Sequence, residues 1–179
     1  DLDCKVAYFS MNEHCDVIVN HCRKGGIAAI YENGYITIKK GDWKMRVEKA
    51  THVPLTLNGK AKFMIANVLA ATLASYLWGF KTEDIKLSLA TFIPSAAQTP
   101  GRMNIFDFKK FKVMIDFAHT PNSIHQLLST LKKEKVKTGR LIHVFGSAGL
   151  RDHLKRPAMG DASGTYADVS IITEEDYRT

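Results

Sequence analysis

Residues 112–121 read KVMIDFAHTP, an apolar run that drops directly into an acid, an aromatic, a small residue, an imidazole and a threonine-proline pair. Val113, Met114 and Ile115 have the unbroken hydrophobicity of a strand covered on both faces. Thr120 followed by Pro121 has the form of a helix N-cap with proline in the first turn, where the missing N–H is not needed and the fixed φ suits the helix. Asp116 and His119 therefore fall in a loop between a strand and a helix. In open α/β sheets such loops lie at the carboxyl ends of the strands, where ligands bind. A carboxylate and an imidazole there suit a nucleotide, although a capped turn with two exposed polar side chains would read the same way.

On the carboxyl side the pattern continues as a helix from Pro121 to about Lys133, a strand at Leu141–Phe145, a helix around Pro157–Thr165 and a strand at Val169–Ile172. This alternation implies parallel strands with right-handed crossovers, the opening of a doubly wound domain. The amino side differs. Lys5–Ser10 reads as a strand, and Ile27–Tyr31, Tyr35–Lys39 and Lys44–Glu48 read as short antiparallel strands turned at Asn33-Gly34 and Gly41-Asp42. The alanine-rich stretch Lys62–Trp78 reads as a core helix closed by Gly79, and a second helix follows Thr82 with Glu83 and Asp84 in its first turn. Pro94–Gly101 contains two prolines and no periodicity, and reads as a linker.

A chain of 179 residues with 45% hydrophobic content can bury one large core or two small ones. Its net charge of +7 suits an anionic partner without choosing among nucleotide, phosphorylated substrate and nucleic acid. The lysines at 109, 110, 112, 132, 133, 135 and 137 lack interleaved exposed aromatics, so they read as a solvated basic face. A basic nucleotide- or nucleic-acid-binding module without catalysis is the reading from a different class. Three cysteines, Cys4, Cys15 and Cys22, crowd one end in an odd count, which argues for a reducing, cytoplasmic setting. The pairs His14-Cys15 and His21-Cys22 offer zinc-binding chemistry, but no C-x-x-C occurs and Asp16–Asn20 reads as helix, so no metal is expected. Phe63–Trp78, interrupted by Asn67, Thr72 and Ser75, is too short to span a membrane. No G-x-x-x-x-G-K-[ST] phosphate loop occurs: Gly59-Lys60 runs into Ala61. With a last strand running straight into TEEDYRT, both ends read as cut, and a fragment of a larger enzyme is expected.

The ordered segments LNGKAKFMIANVLAA, TPGRMNIFDF, IDFAHTPNS, VFGSAGLRDHLKRPAMG and ITEEDYRT resemble the Mur ligase superfamily, ATP-dependent enzymes that join an amino acid to a carboxylate through an acyl phosphate. VAYFS, GGIAAIYENG and the VPLTLNG lead-in are most similar to the Mur-like half of cyanophycin synthetase. RD-x-x-KRP-x-MG and TEEDYRT are more similar to the UDP-N-acetylmuramoyl-tripeptide synthetase branch. The resemblance implies that residues 1–99 are the back part of a central ATP-binding domain and 100–179 the first half of the Rossmann-like C-terminal domain. It implies ATP and magnesium, with the phosphate loop and magnesium ligands upstream and no catalytic residue within this chain. The partners it implies are ATP, an amino acid and a carboxylate acceptor, first a UDP-linked muramoyl peptide of peptidoglycan synthesis. The alternative is a cyanophycin-type polymerase adding aspartate and arginine.

Residue by residue, Asn67 matches the second asparagine of the N-x-x-N-A-x-A-A helix that bonds adenine, while Met64 stands at the first. Arg102 matches the arginine that reaches the ATP phosphates, a task for a planar permanent cation. Asp116 matches the carboxylate that contacts the nucleotide, and His119 shares its motif. Arg151 matches an arginine holding the carboxylate of the incoming amino acid. Where the family reads that amino acid, commonly as D-N-P-R, this chain has Glu175, Asp176, Tyr177 and Arg178. Arg178 is a candidate carboxylate or side-chain contact, and Glu175 and Asp176 favour a cationic amino group.

Overall fold

The computed structural model describes residues 4–149 and 152–174. The chain forms two compact units, Asp1–Ile93 and Pro94–Thr179. Unit one is a four-stranded sheet ordered β1 (Tyr8–Ser10), β2 (Ile27–Glu32), β3 (Tyr35–Lys40), β4 (Trp43–Lys49). β1 and β2 run parallel through α1 (Asp16–Arg23), while β2, β3 and β4 form the expected meander. Asn33 and Gly34 take φ of +50° and +84°, the positive pair that a tight two-residue hairpin demands.

β2 is buried on both faces. Ala28 and Ile30 pack against Ile18 and Cys22 of α1. Ala29 faces the other layer with Ile36, Ile38 and Val47, meeting Ile65, Val68, Leu69 and Leu73 of α2 (Lys62–Trp78) and Ile85 of α3 (Thr82–Thr91). Each large side chain so buried contributes roughly 1.5–3 kcal/mol. α2 keeps its expected limits because Gly79 takes φ +98° and closes it. α3 begins at Thr82 itself, with Lys81 at the cap position and no side-chain cap.

Gly26, between α1 and β2, has no room for a side chain. A Cβ would overlap the His21 imidazole, whose Nε2–H donates to the Ile27 carbonyl at 3.2 Å and whose ring meets Tyr8 edge-on. Gly26→Ala is expected to displace that ring and lower stability by about 1–3 kcal/mol. A urea titration measures the loss, and an unchanged midpoint would show that the ring yields freely.

Unit two begins with a hairpin of β5 (Asn104–Phe108) and β6 (Phe111–Ile115). It continues through α4 (Pro121–Glu134), β7 (Ile142–Phe145), α5 (Arg156–Tyr166) and β8 (Val169–Ile172), with β7 and β8 parallel. Thr120 caps α4 in a reciprocal box: its hydroxyl accepts the Ser123 N–H at 3.2 Å, and the Ser123 hydroxyl accepts the Thr120 N–H at 3.0 Å. Ile124 and Leu128 of α4 pack against Met159 and Ala162 of α5, with Leu141 and Phe145 beside them.

The strand reading of 113–115 needs two corrections. Its partner among the described residues is β5, antiparallel, a strand absent from the sequence reading. Nor is it covered on both faces, for Val113 is 39% and Ile115 50% exposed. The register sets Phe106 opposite Val113 and Phe108 opposite Phe111, an apolar face outside the α4–α5 core. No helix among the described residues is long and apolar enough to cross a membrane.

Candidate nucleotide-binding site

Asp116, Phe117 and His119 lie in the loop between β6 and α4, and the 99–104 turn is tied to it by side chains. Asp116 Oδ2 accepts the Met103 N–H at 3.0 Å and Oδ1 accepts the Ala118 N–H at 2.9 Å. The buried Asn104 accepts the Gly101 N–H at 2.7 Å and donates to the carbonyls of Thr99 at 3.0 Å and Arg102 at 3.2 Å. These bonds hold Met103 at φ +50°, a left-handed turn unusual for a side chain of its size. One acid and one amide thus fix the turn that carries Arg102.

The Arg102 guanidinium lies over the Phe117 ring, 4.7 Å from its centroid, and the His119 ring stands 5.0 Å from Phe117 at a tilt of 58°. His119 Nδ1 is 2.9 Å from the Phe117 carbonyl. A carbonyl only accepts, so Nδ1 carries the hydrogen and Nε2 is left for another group. Arg102 and His119 are therefore brought together on one aromatic ring, and Asp116, the residue before it, ties the Arg102 turn to this loop. A carboxylate has roughly four lone-pair sites, so Asp116 retains capacity for hydroxyl donors beside its two backbone bonds. From the short turn His153–Lys155 ahead of α5, Lys155 Nζ donates to the His119 carbonyl at 3.0 Å, and Arg156 donates to the Ala148 carbonyl at 3.3 Å. The Lys155 bond ties the second strand-helix loop to the first, and the Arg156 bond closes the second loop on itself.

Asn67 belongs to unit one. On α2 it lines, with Val53, Thr72, Ile85 and Ser88, a groove of about 470 Å³ between α2 and α3. Its Nδ2 donates weakly to Met64 Sδ at 3.5 Å, leaving the amide oxygen available. Arg151, Glu175, Asp176 and Arg178 lie outside the described residues. Among the described residues no group of three or more His, Cys, Asp or Glu side chains converges to hold a metal. Cys22 is instead a core residue whose thiol is pushed up by burial, against the opposing field of Lys39.

Behind the loops, His143 Nδ1 and the Ser163 hydroxyl are 2.8 Å apart, that hydroxyl is 2.7 Å from the Ser170 hydroxyl, and the ring stacks on Phe145. Burial holds the His143 imidazole below its ordinary range. The unfolded chain then binds a proton that the folded chain does not, so stability is full above about pH 6.5 and falls as pH drops below it toward the folded value. The thermal midpoint should fall between about pH 7.5 and pH 5.5, and His143→Gln should flatten that slope. An unaltered slope would exclude His143 as its source.

Sequence reasoning missed Phe117 and Asn104. Phe117 reads as an aromatic between two loop residues, and the one available signal was its place directly after a loop acid. Asn104 reads as a polar residue after a turn, and its burial shows only in the fold.

Residues 101–179 match the family described as Mur ligase, glutamate ligase domain. Residues 101–179 thus belong to the Mur ligase family, and the chain over its length is similar to ligases of that superfamily. The chain is 43% identical over 172 residues to the cyanophycin synthetase of Geminocystis herdmanii, and 40% identical over 171 residues to that of a Nostoc species; each match covers 96% of this chain. It spans 19% of the length of either synthetase. The UDP-N-acetylmuramoyl-L-alanyl-D-glutamate--2,6-diaminopimelate ligase of Aquifex aeolicus is 39% identical over 111 residues, 62% of this chain and 22% of that protein. A solved diaminopimelate ligase of the same name aligns with 97% of this chain and 37% of its own, at 25% identity and a TM-score of 0.45.

Proposed function

We propose that this chain supplies the nucleotide-clamping and amino-acid-presenting parts of a cytoplasmic, ATP-dependent ligase of the cyanophycin synthetase type, which joins amino acids to a carboxylate acceptor. The observation that carries the reading is the meeting of Arg102 and His119 on Phe117 at the end of β6, with Asp116 tying the Arg102 turn to the same loop. That donor set fits a nucleotide: a cation whose N–H groups meet no acceptor among the described residues, a carboxylate for ribose hydroxyls and an imidazole nitrogen with no partner among those residues. ATP, with its magnesium, supplies the phosphoryl group that activates the acceptor carboxylate. Arg102 holds the phosphates, Asp116 the ribose, and Asn67 the adenine edge with an amide that can both donate and accept. Arg151 holds the carboxylate of the incoming amino acid. Arg178 contacts its carboxylate or side chain, and Glu175 and Asp176 receive a cationic amino group, which suits arginine.

The branch is chosen because similarity to the cyanophycin synthetases covers 96% of this chain, against 62% for the diaminopimelate ligase. The RD-x-x-KRP-x-MG segment favours the second reading, peptidoglycan precursor synthesis with a UDP-linked muramoyl peptide as acceptor. The test supplies the full-length polypeptide with ATP, magnesium and one of two substrate sets, and follows phosphate release. The first set is aspartate and arginine with an aspartate-containing primer; the second is the UDP-muramoyl dipeptide with diaminopimelate. Release with the first set alone supports the proposal. Release with the second alone supports the peptidoglycan reading, and release with neither removes the ligase assignment.

A further inference from the structure

We propose that Phe117 is the positioning residue of this site, its ring holding the Arg102 guanidinium with the N–H donors open and its carbonyl fixing the His119 imidazole. The inference rests on the reading of Arg102 as a phosphate contact.

A phosphate-binding arginine must be held still and yet remain uncommitted. A carboxylate partner would neutralise the fork and occupy its donors. Among the described residues Arg102 makes no ion pair with an acid, and Asp116 directs its two oxygens to the Met103 and Ala118 N–H groups instead. An aromatic face attracts the cation through its quadrupole while leaving every N–H available. At 4.7 Å from the centroid, Arg102 is within the range of that attraction, and no other side-chain contact of Arg102 competes with it among the described residues.

The same residue orders His119 from two directions. The Phe117 ring limits the imidazole on one side at 5.0 Å, and its carbonyl takes the Nδ1–H at 2.9 Å. Lys155 clamps the backbone at His119, so the loop itself does not depend on the ring. Removing the ring should therefore release the Arg102 side chain, while His119 keeps its bond to the residue 117 carbonyl and the loop does not collapse.

Steady-state kinetics on the full-length polypeptide test this with Phe117→Leu, Phe117→Tyr, Arg102→Ala and the Phe117→Leu/Arg102→Ala pair. Phe117→Leu should raise the ATP KM about 5- to 10-fold and leave the amino-acid KM within about twofold, whereas Phe117→Tyr, which keeps the face, should stay near native. The double variant should be no worse than Arg102→Ala, since the ring acts through the arginine. In NMR spectra of the 179-residue chain, Phe117→Leu should abolish the ring-current shift of the Arg102 side-chain protons while the methyl signals of Ile124 and Leu128 stay in place. If Arg102→Ala raises the ATP KM and Phe117→Leu does not, or if the two effects add, this inference alone fails. Equal rises in both KM values would indicate a collapsed loop and also overturn it. A silent Arg102→Ala would overturn the phosphate reading and the inference together.

Discussion

Asp116→Asn is expected to destabilise unit two by about 2–3 kcal/mol, nearly as much as Asp116→Ala, although the residues differ little in size. Both carboxylate oxygens of Asp116 accept backbone N–H groups, one from Met103 and one from Ala118. An amide has one accepting oxygen, so either rotamer turns an NH2 group toward one of those donors. Hydrogen bonds to a charged group are worth about 1.5–3 kcal/mol each, and the lower end applies because Asp116 is only partly buried. Denaturation curves give the total. Hydrogen exchange at the Met103 and Ala118 amides gives its location, since both should lose protection before the helices do. A neutral Asp116→Asn would mean that the carboxylate does not hold the turn bearing Arg102.

In unit one the largest electrostatic effect is expected from Lys44→Met, about 2–3 kcal/mol at neutral pH. The Glu32 side chain, only 7% exposed, accepts a hydrogen bond from Lys44, and Glu13 lies 3.7 Å from the same ammonium. That bond, opposed by burial, holds the Glu32 carboxyl below the usual range and lifts the Lys44 ammonium above its own. Removing one member of a buried pair typically costs 3–5 kcal/mol, but Lys44 is 39% exposed and solvent screens part of the loss. The lowered carboxyl makes the native contribution full above the unfolded value near pH 4.3, and it is lost as pH falls through the folded value. In Lys44→Met the burial of Glu32 goes uncompensated by its main partner, so the deficit against native should narrow on acidification. Adding Glu32→Gln should recover most of the loss at about pH 7. If Lys44→Met costs the same with Gln at 32 as with Glu, the pair is not the origin of the effect.

Local chemistry was legible in the sequence wherever a few adjacent residues decide the outcome. The limits of α2 follow from Gly79, the start of α4 from Thr120-Pro121, and the first hairpin of the meander from Asn33-Gly34. β5 was not legible because its partner is set by a connection through Lys109 and Lys110 that carries no turn signal, although Lys109 takes φ +49°. The exposure of β6 was equally hidden, since an apolar run does not reveal which neighbours will cover it. At the site, Arg102, Asp116 and His119 entered through resemblance and their position after a strand. The meeting of Arg102 and His119 on Phe117 depends on the 99–104 turn folding onto the next loop, where Asp116 holds it. Asn104 makes that possible through three hydrogen bonds that no spacing rule announces.

The most direct measurement is the pair of KM values, for ATP and for the amino acid, of four alanine variants of the full-length polypeptide. Arg102→Ala and Asn67→Ala should raise the ATP KM at least about tenfold, a loss of about 1.4 kcal/mol or more, and leave the amino-acid KM nearly unchanged. Arg151→Ala and Arg178→Ala should do the reverse. Equal effects of all four variants on both substrates would contradict the division between nucleotide-clamping and amino-acid-presenting residues.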